Sequence, residues 1–355
     1  MTKDGNFKRA VRARVRRTGE KYTAARAAME SDGLRQRIRR PVQHEALKAH
    51  LEQHYGIHIT SVVQFDDDHP ATLIVERSDG PTWVARLFTS TADRFERVEA
   101  DAEILRLLES HRYPAERLAH PEPVTSLDGS GVMVTNFVPG GRVTATPETQ
   151  RVLGELLGRL HALPPADGAM ARDGGSFDHD PAYVGRPAAD VAASMNFLRT
   201  VEGAVDPKGR AKFDWLLEQV AHADDCEGLP EAFTHANYGT FNAIGAPGDE
   251  PVIVGWAASG RAPRLASIGW QLYCTGGNRD QIEALVEGYA RHVQLTDEEL
   301  ERLPGAVILR DLYLGCWYYW ASVSSGYTPS GGEGWWPDPV YQKAIAAHAV
   351  EALSR

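Results

Sequence analysis

Hydrophobic and polar positions change rhythm twice along this chain. Three short stretches carry strand signals: Ile59 to Phe65, Thr72 to Arg77 and Thr82 to Phe88. A helical stretch, His44 to His54, precedes them. A second helix is predicted from Asp93 to Ser110, with Phe95, Val98, Ala102 and Leu105 on one face. Val132 to Val138 reads as another strand, and it runs into Pro139-Gly140-Gly141, a break in any regular element. From Glu148 the period becomes helical, with Val152, Leu156, Leu157 and Leu160 leading to His161. Gly168 to Asp180 has loop composition. Helices resume near Ala189 and run to His222, a strand-loop-strand piece spans Phe233 to Trp256, and helices fill most of the remainder. No internal repeat is visible.

The order is a small antiparallel sheet, a hinge near Asn136 to Gly140, and then mostly helix. It predicts an α+β, two-lobed architecture with a sheet lobe over 46–138 and a larger helical lobe over 139–355. Residues 1–45 stand apart as a basic helical arm. There Phe7, Val11 and Val15 share one face, Thr18-Gly19 interrupts, and Tyr22, Ala25 and Met29 begin a second short helix.

Composition adds two constraints. The chain has 355 residues, 43% hydrophobic and 24% charged, which is ordinary for a soluble globular protein. No apolar run approaches the ~20 residues that span a bilayer. The basic N-terminus lacks the apolar core of a secretory signal. Cys226, Cys274 and Cys316 are scattered, which argues for a reducing compartment and against a disulfide or zinc framework. The expected location is the cytoplasm.

Charge is unevenly placed. The first forty residues carry thirteen Lys or Arg against four acids, a net +9, so the remainder is −19 within a total of −10. Such an arm suits an acidic partner or self-association.

Three stretches carry the candidate chemistry. Val134-Thr-Asn-Phe-Val-Pro-Gly140 is followed by Leu153-Gly-Glu-Leu-Leu-Gly-Arg-Leu-His161. Then comes Thr234-His-Ala-Asn-Tyr-Gly-Thr-Phe-Asn242. The third is Val252-Ile-Val-Gly-Trp256, followed by Gly260-Arg-Ala-Pro-Arg-Leu265. Together they resemble the hinge, catalytic loop and metal-binding strand end of the aminoglycoside phosphotransferase and choline kinase family. That family has a protein-kinase-like fold. The resemblance spans roughly residues 50 to 355.

The resemblance implies a bilobal kinase fold and assigns roles by position. In the family a loop Asp orients the acceptor hydroxyl and takes its proton; here that residue is Asn237, whose amide has no useful basicity. A loop Asn and a strand-end Asp hold magnesium on the phosphates; here they are Asn242 and Gly255, and Gly255 offers no ligand. Arg86 fills the cationic strand position that pairs with the phosphates. By family register its steadying acid is Asp101, with Glu103 the neighbouring choice. Phe137 and Val138 of the hinge would meet the nucleotide, and His235 is expected to brace the loop backbone. The turn before the second strand, Asp66-Asp67-Asp68-His69-Pro70, would repel a triphosphate. Neither Asp224 and Asp225 nor Asp249 and Glu250 has a spacing that delivers a carboxylate to the lost metal position.

The C-terminal helices of such a fold line the acceptor pocket. Here they contain Trp317 and Trp320, then a Gly- and Pro-rich loop with Trp335 and Trp336. Aromatic clusters of this kind pack cores or form ligand and partner contacts. The expectation is a pseudokinase that binds a small molecule, peptide or protein in the C-lobe cleft, with no cofactor. An active phosphotransferase with an atypical site, using ATP and magnesium on a small-molecule hydroxyl or a peptide Ser or Thr, is the first alternative. New chemistry in the old cleft is the second.

Overall fold

The computed structural model describes residues 44–65, 71–88, 92–165, 168–174, 186–246, 249–257, 259–325 and 339–353. The basic arm, the Asp66 to Pro70 turn, Trp335 and Trp336 lie outside the described residues.

The N-terminal region is a five-stranded antiparallel sheet of β1 (Ile59–Gln64), β2 (Thr72–Arg77), β3 (Trp83–Phe88), β4 (Val124–Leu127) and β5 (Ser130–Asn136). Its order is β1-β2-β3-β5-β4. Helix α1 (His44–Tyr55) buries Leu47 and Leu51 against Ile59, Leu73, Val75, Trp83, Ala85, Val132 and Val134. These sheet residues are the apolar half of the alternating pattern, so period-two patterning directly supplies the core face. Helix α2 (Ala92–Ser110) follows β3 and buries Val98, Ala102 and Leu105.

The hydrophobic pattern alone missed β4. It joins β5 through Asp128-Gly129, both with positive φ (49° and 77°), which is the two-residue hairpin that an Asp-Gly pair favours. The stretch expected as helix from Ala189 to His222 is divided into α4 (Pro187–Val201) and α5 (Arg210–Ala221), with a 3₁₀ turn (Glu202–Ala204) and a loop between them.

Beyond the hinge the chain is mainly helical: α3 (Pro147–His161), α6 (Arg264–Tyr273), α7 (Arg279–Ala290), α8 (Asp297–Ser325) and α9 (Pro339–Leu353). Thr146 caps α3 by accepting a hydrogen bond from the Thr149 N–H, and Pro147 takes the first helical position. Helices α3 and α7 pack closely because glycines face backbone. A Cβ at Gly154 would lie 2.1 Å from the Leu285 carbonyl oxygen, and one at Gly288 would lie 2.0 Å from that of Arg151. Small antiparallel pieces lie among the helices. These are β6 (Gly141–Arg142), β8 (Ala243–Gly245) and β9 (Val252–Ile253) in one sheet, and β7 (Glu231–Thr234) with β10 (Gly260–Pro263) in another.

The chain forms two compact units. One contains, among the described residues, 194–222 and 312–325. The other contains the five-stranded sheet, α3, α6, α7, α9 and both small sheets. Among the described residues no helix is long and apolar enough to cross a membrane.

Candidate functional site

The loop after β7 and the β8–β9 hairpin build the site. Pairing of Ala243 with Ile253 brings the two ends of the hairpin together, and the Val254 N–H donates to the Asn242 carbonyl at 2.9 Å. Asn242 and Gly255 therefore face each other. A Cβ at position 255 would stand 3.4 Å from Asn242 Oδ1. Position 255 thus stands beside the Asn242 amide, and as glycine it presents no side chain there. Gly255 also adopts φ +83°, a conformation that disfavours any side chain.

His235 is buried and spans the two halves of this loop. Its Nδ1 accepts from the Asn237 N–H at 3.0 Å, so Nε2 carries the proton and donates to the Val254 carbonyl at 3.1 Å. Trp256 packs edge-on against the ring at 4.7 Å. Burial pushes the imidazole down to about 4, so it is neutral at physiological pH. Both nitrogens are engaged with backbone, which leaves no atom for proton transfer to a substrate.

Asn237 is held from an unexpected direction. Arg310, from α8, donates Nη2 to Asn237 Oδ1 and Nη1 to the Ala236 carbonyl, both at 2.7 Å. Its guanidinium lies 4.2 Å from the centre of the Trp270 ring. Burial lowers the pKa of this arginine to about 10, so it stays cationic at neutral pH. The oxygen of Asn237 is thus committed to a fixed internal cation. Asn242 Nδ2 donates in turn to the Asn237 carbonyl at 2.7 Å.

The ion pair expected between Arg86 and Asp101 does not form. Arg86 Nη1 pairs with Glu116 Oε2 at 2.8 Å, and Asp101 pairs with Arg172. The reason is topological. Ala115 bridges Ile253, the Glu116 N–H donates to the Ile253 carbonyl at 3.1 Å, and the Ile253 N–H donates to the Pro114 carbonyl at 2.7 Å. This pairing lays the 114–116 segment beside the strand end and aims the Glu116 side chain at Arg86. Arg172 is fixed over α2 by two further bonds, from Nε to the Ser259 carbonyl at 2.7 Å and from Nη1 to the Arg97 carbonyl at 3.3 Å. Asp101 is therefore met by a guanidinium already anchored on its own side.

Glu116 is the residue that the sequence did not disclose. It is only 2% exposed. Its Oε2 also accepts from Thr135 Oγ1 at 3.1 Å, and its Oε1 accepts from the Gly255 N–H at 2.8 Å. No motif or spacing marks Tyr113-Pro-Ala-Glu116. Arg310 left a faint trace, as one of two adjacent charges, Arg310 and Asp311, within an apolar helical stretch.

The residues do not fit a magnesium site. Gly255 has no ligand atom, Asn242 is a neutral amide, and Glu116 is neutralised by Arg86 and takes three donors. Among the described residues no three His, Cys, Asp or Glu side chains cluster to hold a metal. Asp224 is engaged by Arg302 at 2.6 Å and Glu250 by Arg159 at 2.9 Å, so neither reaches position 255.

The remaining candidates lie elsewhere. Phe137 and Val138 continue from β5, where the Phe137 N–H donates to the Thr82 carbonyl at 3.0 Å. Trp317 and Trp320 sit half-buried on the C-terminal part of α8. Trp317 lies edge-on to Tyr318 at 5.1 Å, and Trp320 packs on Phe197 at 5.0 Å.

Solved structures share this architecture at low identity. A macrolide 2'-phosphotransferase from Brachybacterium faecium matches with a TM-score of 0.52 and 16% identity, over 86% of this chain and 98% of that one. The amicoumacin kinase hAmiN, solved with AMP-PNP, Ca2+ and Ami, matches at 0.55 and 14%, over 88% and 96%. The choline kinase LicA from Streptococcus pneumoniae matches at 0.51 and 11%, over 87% and 98%. No curated protein matches the sequence. Residues 61–303 match the phosphotransferase enzyme family, APH, which is more than half of the chain. This chain belongs to that family.

Proposed function

We propose that this chain is a pseudokinase, a phosphotransferase fold retained for binding and not for phosphoryl transfer. The observation that carries this is the face-to-face placement of Asn242 and Gly255, which leaves no carboxylate at the position where the sequence resemblance expects a metal-binding acid. A kinase of this kind works by positioning and neutralising phosphate charge. Here the strand-end anion is absent, Asn237 cannot accept a proton, and Arg86 is already neutralised by Glu116.

The ligand in this reading is a small molecule, peptide or partner protein held by the C-lobe. The basic arm adds contact with an acidic partner or a second copy, and the setting is the cytoplasm. The decisive test is calorimetry with ATP, with and without magnesium, alongside transfer of labelled γ-phosphate. We expect neither magnesium-dependent binding nor labelled product. Saturable micromolar binding that requires magnesium would overturn the reading. For the arm, deletion of residues 1–40 should leave the cooperative melt intact and weaken association. Loss of the melt would contradict the proposal.

A further inference from the structure

Three donors from separate parts of the chain converge on one buried anion. Arg86 comes from β3, Thr135 from β5 and the Gly255 N–H from the turn after β9. All are within hydrogen-bond distance of the Glu116 carboxylate at 2.8, 3.1 and 2.8 Å. A guanidinium, a hydroxyl and a backbone N–H are the donor types that hold a free carboxylate or phosphate. Glu116 reaches them from the 114–118 segment, which is tied to two of the donor strands: Ala115 bridges Ile253, two residues before Gly255, and Leu118 bridges Thr135.

We propose that Arg86, Thr135 and the Gly255 N–H form an oxyanion pocket whose built-in occupant is the Glu116 carboxylate. The chain thereby closes its own phosphoanion site. The proposal rests on the pseudokinase reading and names what keeps that site shut. Glu116 is not a displaced metal ligand in this account, because its charge is already compensated by Arg86 and three donors converge on it. The ligand class for the opened pocket is a small oxyanion without a divalent metal: formate, acetate or inorganic phosphate.

The test uses the full chain carrying Glu116→Ala. This substitution leaves a cationic, donor-lined space in place of the carboxylate. Melting is followed at fixed ionic strength in chloride, formate, acetate or phosphate. We expect a lowered Tm in chloride, recovery of most of the loss in the oxyanions, and no response of the wild type to the same salts. The double variant R86M/E116A should not recover. Rescue by formate and acetate but not phosphate would identify a carboxylate-sized pocket, and rescue by all three a general oxyanion pocket; either outcome supports the proposal. Equal melting of E116A in chloride and oxyanions would overturn it, as would rescue that survives R86M.

Should E116A fail to fold, urea denaturation of E116Q, R86M and R86M/E116Q decides. Non-additive losses support the shared pocket, and additive ones refute it. Magnesium-dependent ATP binding by the wild type would defeat the pseudokinase reading without touching the anion rescue. Failure of the rescue would defeat the pocket without reviving kinase activity.

Discussion

The side-chain oxygen of Asn237, the residue that the sequence resemblance assigns to the base position, accepts a hydrogen bond from Arg310 Nη2 at 2.7 Å. The guanidinium is buried against Trp270 and anchored to the Ala236 carbonyl. A carboxylate introduced at 237 would meet a fixed cation before it met any substrate. Asn237→Asp should therefore stabilise the fold at pH 7 by about 1–3 kcal/mol, the range of a charge-assisted hydrogen bond. The partner depresses the folded pKa of the new acid. The gain should be present above pH ~4 and lost as pH falls through the depressed value. Urea denaturation at pH 7 and pH 3 checks this. Under the proposed pseudokinase function this variant should show no phosphoryl transfer, and activity gained on this single change would contradict that proposal.

Position 255 resists simple repair. With φ at +83°, any side chain there is strained by about 1–2 kcal/mol, and an Asp would also bring a second carboxylate near Glu116. Gly255→Ala measures the backbone cost, and Gly255→Asp adds the charge. We expect both to lower stability, with Asp worse than Ala at pH 7. Equal losses would mean that the two carboxylates do not interact.

Buried histidines set the acid limb of stability. His235 titrates near 4 and His161 near 3 because burial disfavours the imidazolium, while both return to about 6.5 on unfolding. The unfolded chain binds more protons across this window. Stability should be full above pH 6.5 and fall as pH drops toward 4 and then 3. Denaturation midpoints between pH 4 and 7 test the slope, and a flat profile would contradict it.

Asp311 has the opposite sign. Burial lifts its carboxyl to about 6, against hydrogen bonds from Tyr273 and Gln342. Its protonated form favours the fold at low pH, and that contribution is lost as pH rises through 6. Asp311→Asn should therefore gain on the wild type as pH rises from ~4 to about 6 and hold that gain above it. The difference in Tm between the two proteins measures it, and a constant difference would reject the assignment.

The contact between α3 and α7 leaves no room for a methyl group. Gly154→Ala would press a Cβ to 2.1 Å from the Leu285 carbonyl oxygen, so the helices must separate. Overpacking against backbone should cost about 3 kcal/mol or more. A melt unchanged within a degree would show that the helices slide apart freely.

Much of the architecture is local and was legible in the chain itself. The alternation over 72–77 and 82–88 fixes which face of the sheet is apolar, whereas a register shift between Ile59 and Ser61 breaks it in β1 and leaves Val63 and Phe65 exposed. The helical period from Glu148 fixes the buried stripe of α3. The identities of Asn237 and Gly255, an amide and a bare backbone, are legible in the chain by themselves. Partner choice is different. Arg86 and Glu116 are thirty residues apart, and Asn237 and Arg310 seventy-three. Which acid meets which base depends on a strand bridge at Ala115 and on where α8 passes the loop. Arg86 could be expected to seek an acid from sequence, but only the tertiary structure gave it Glu116 and sent Asp101 to Arg172. Side-chain pairing at that range is decided by the crossing of backbone segments, which local pattern does not encode.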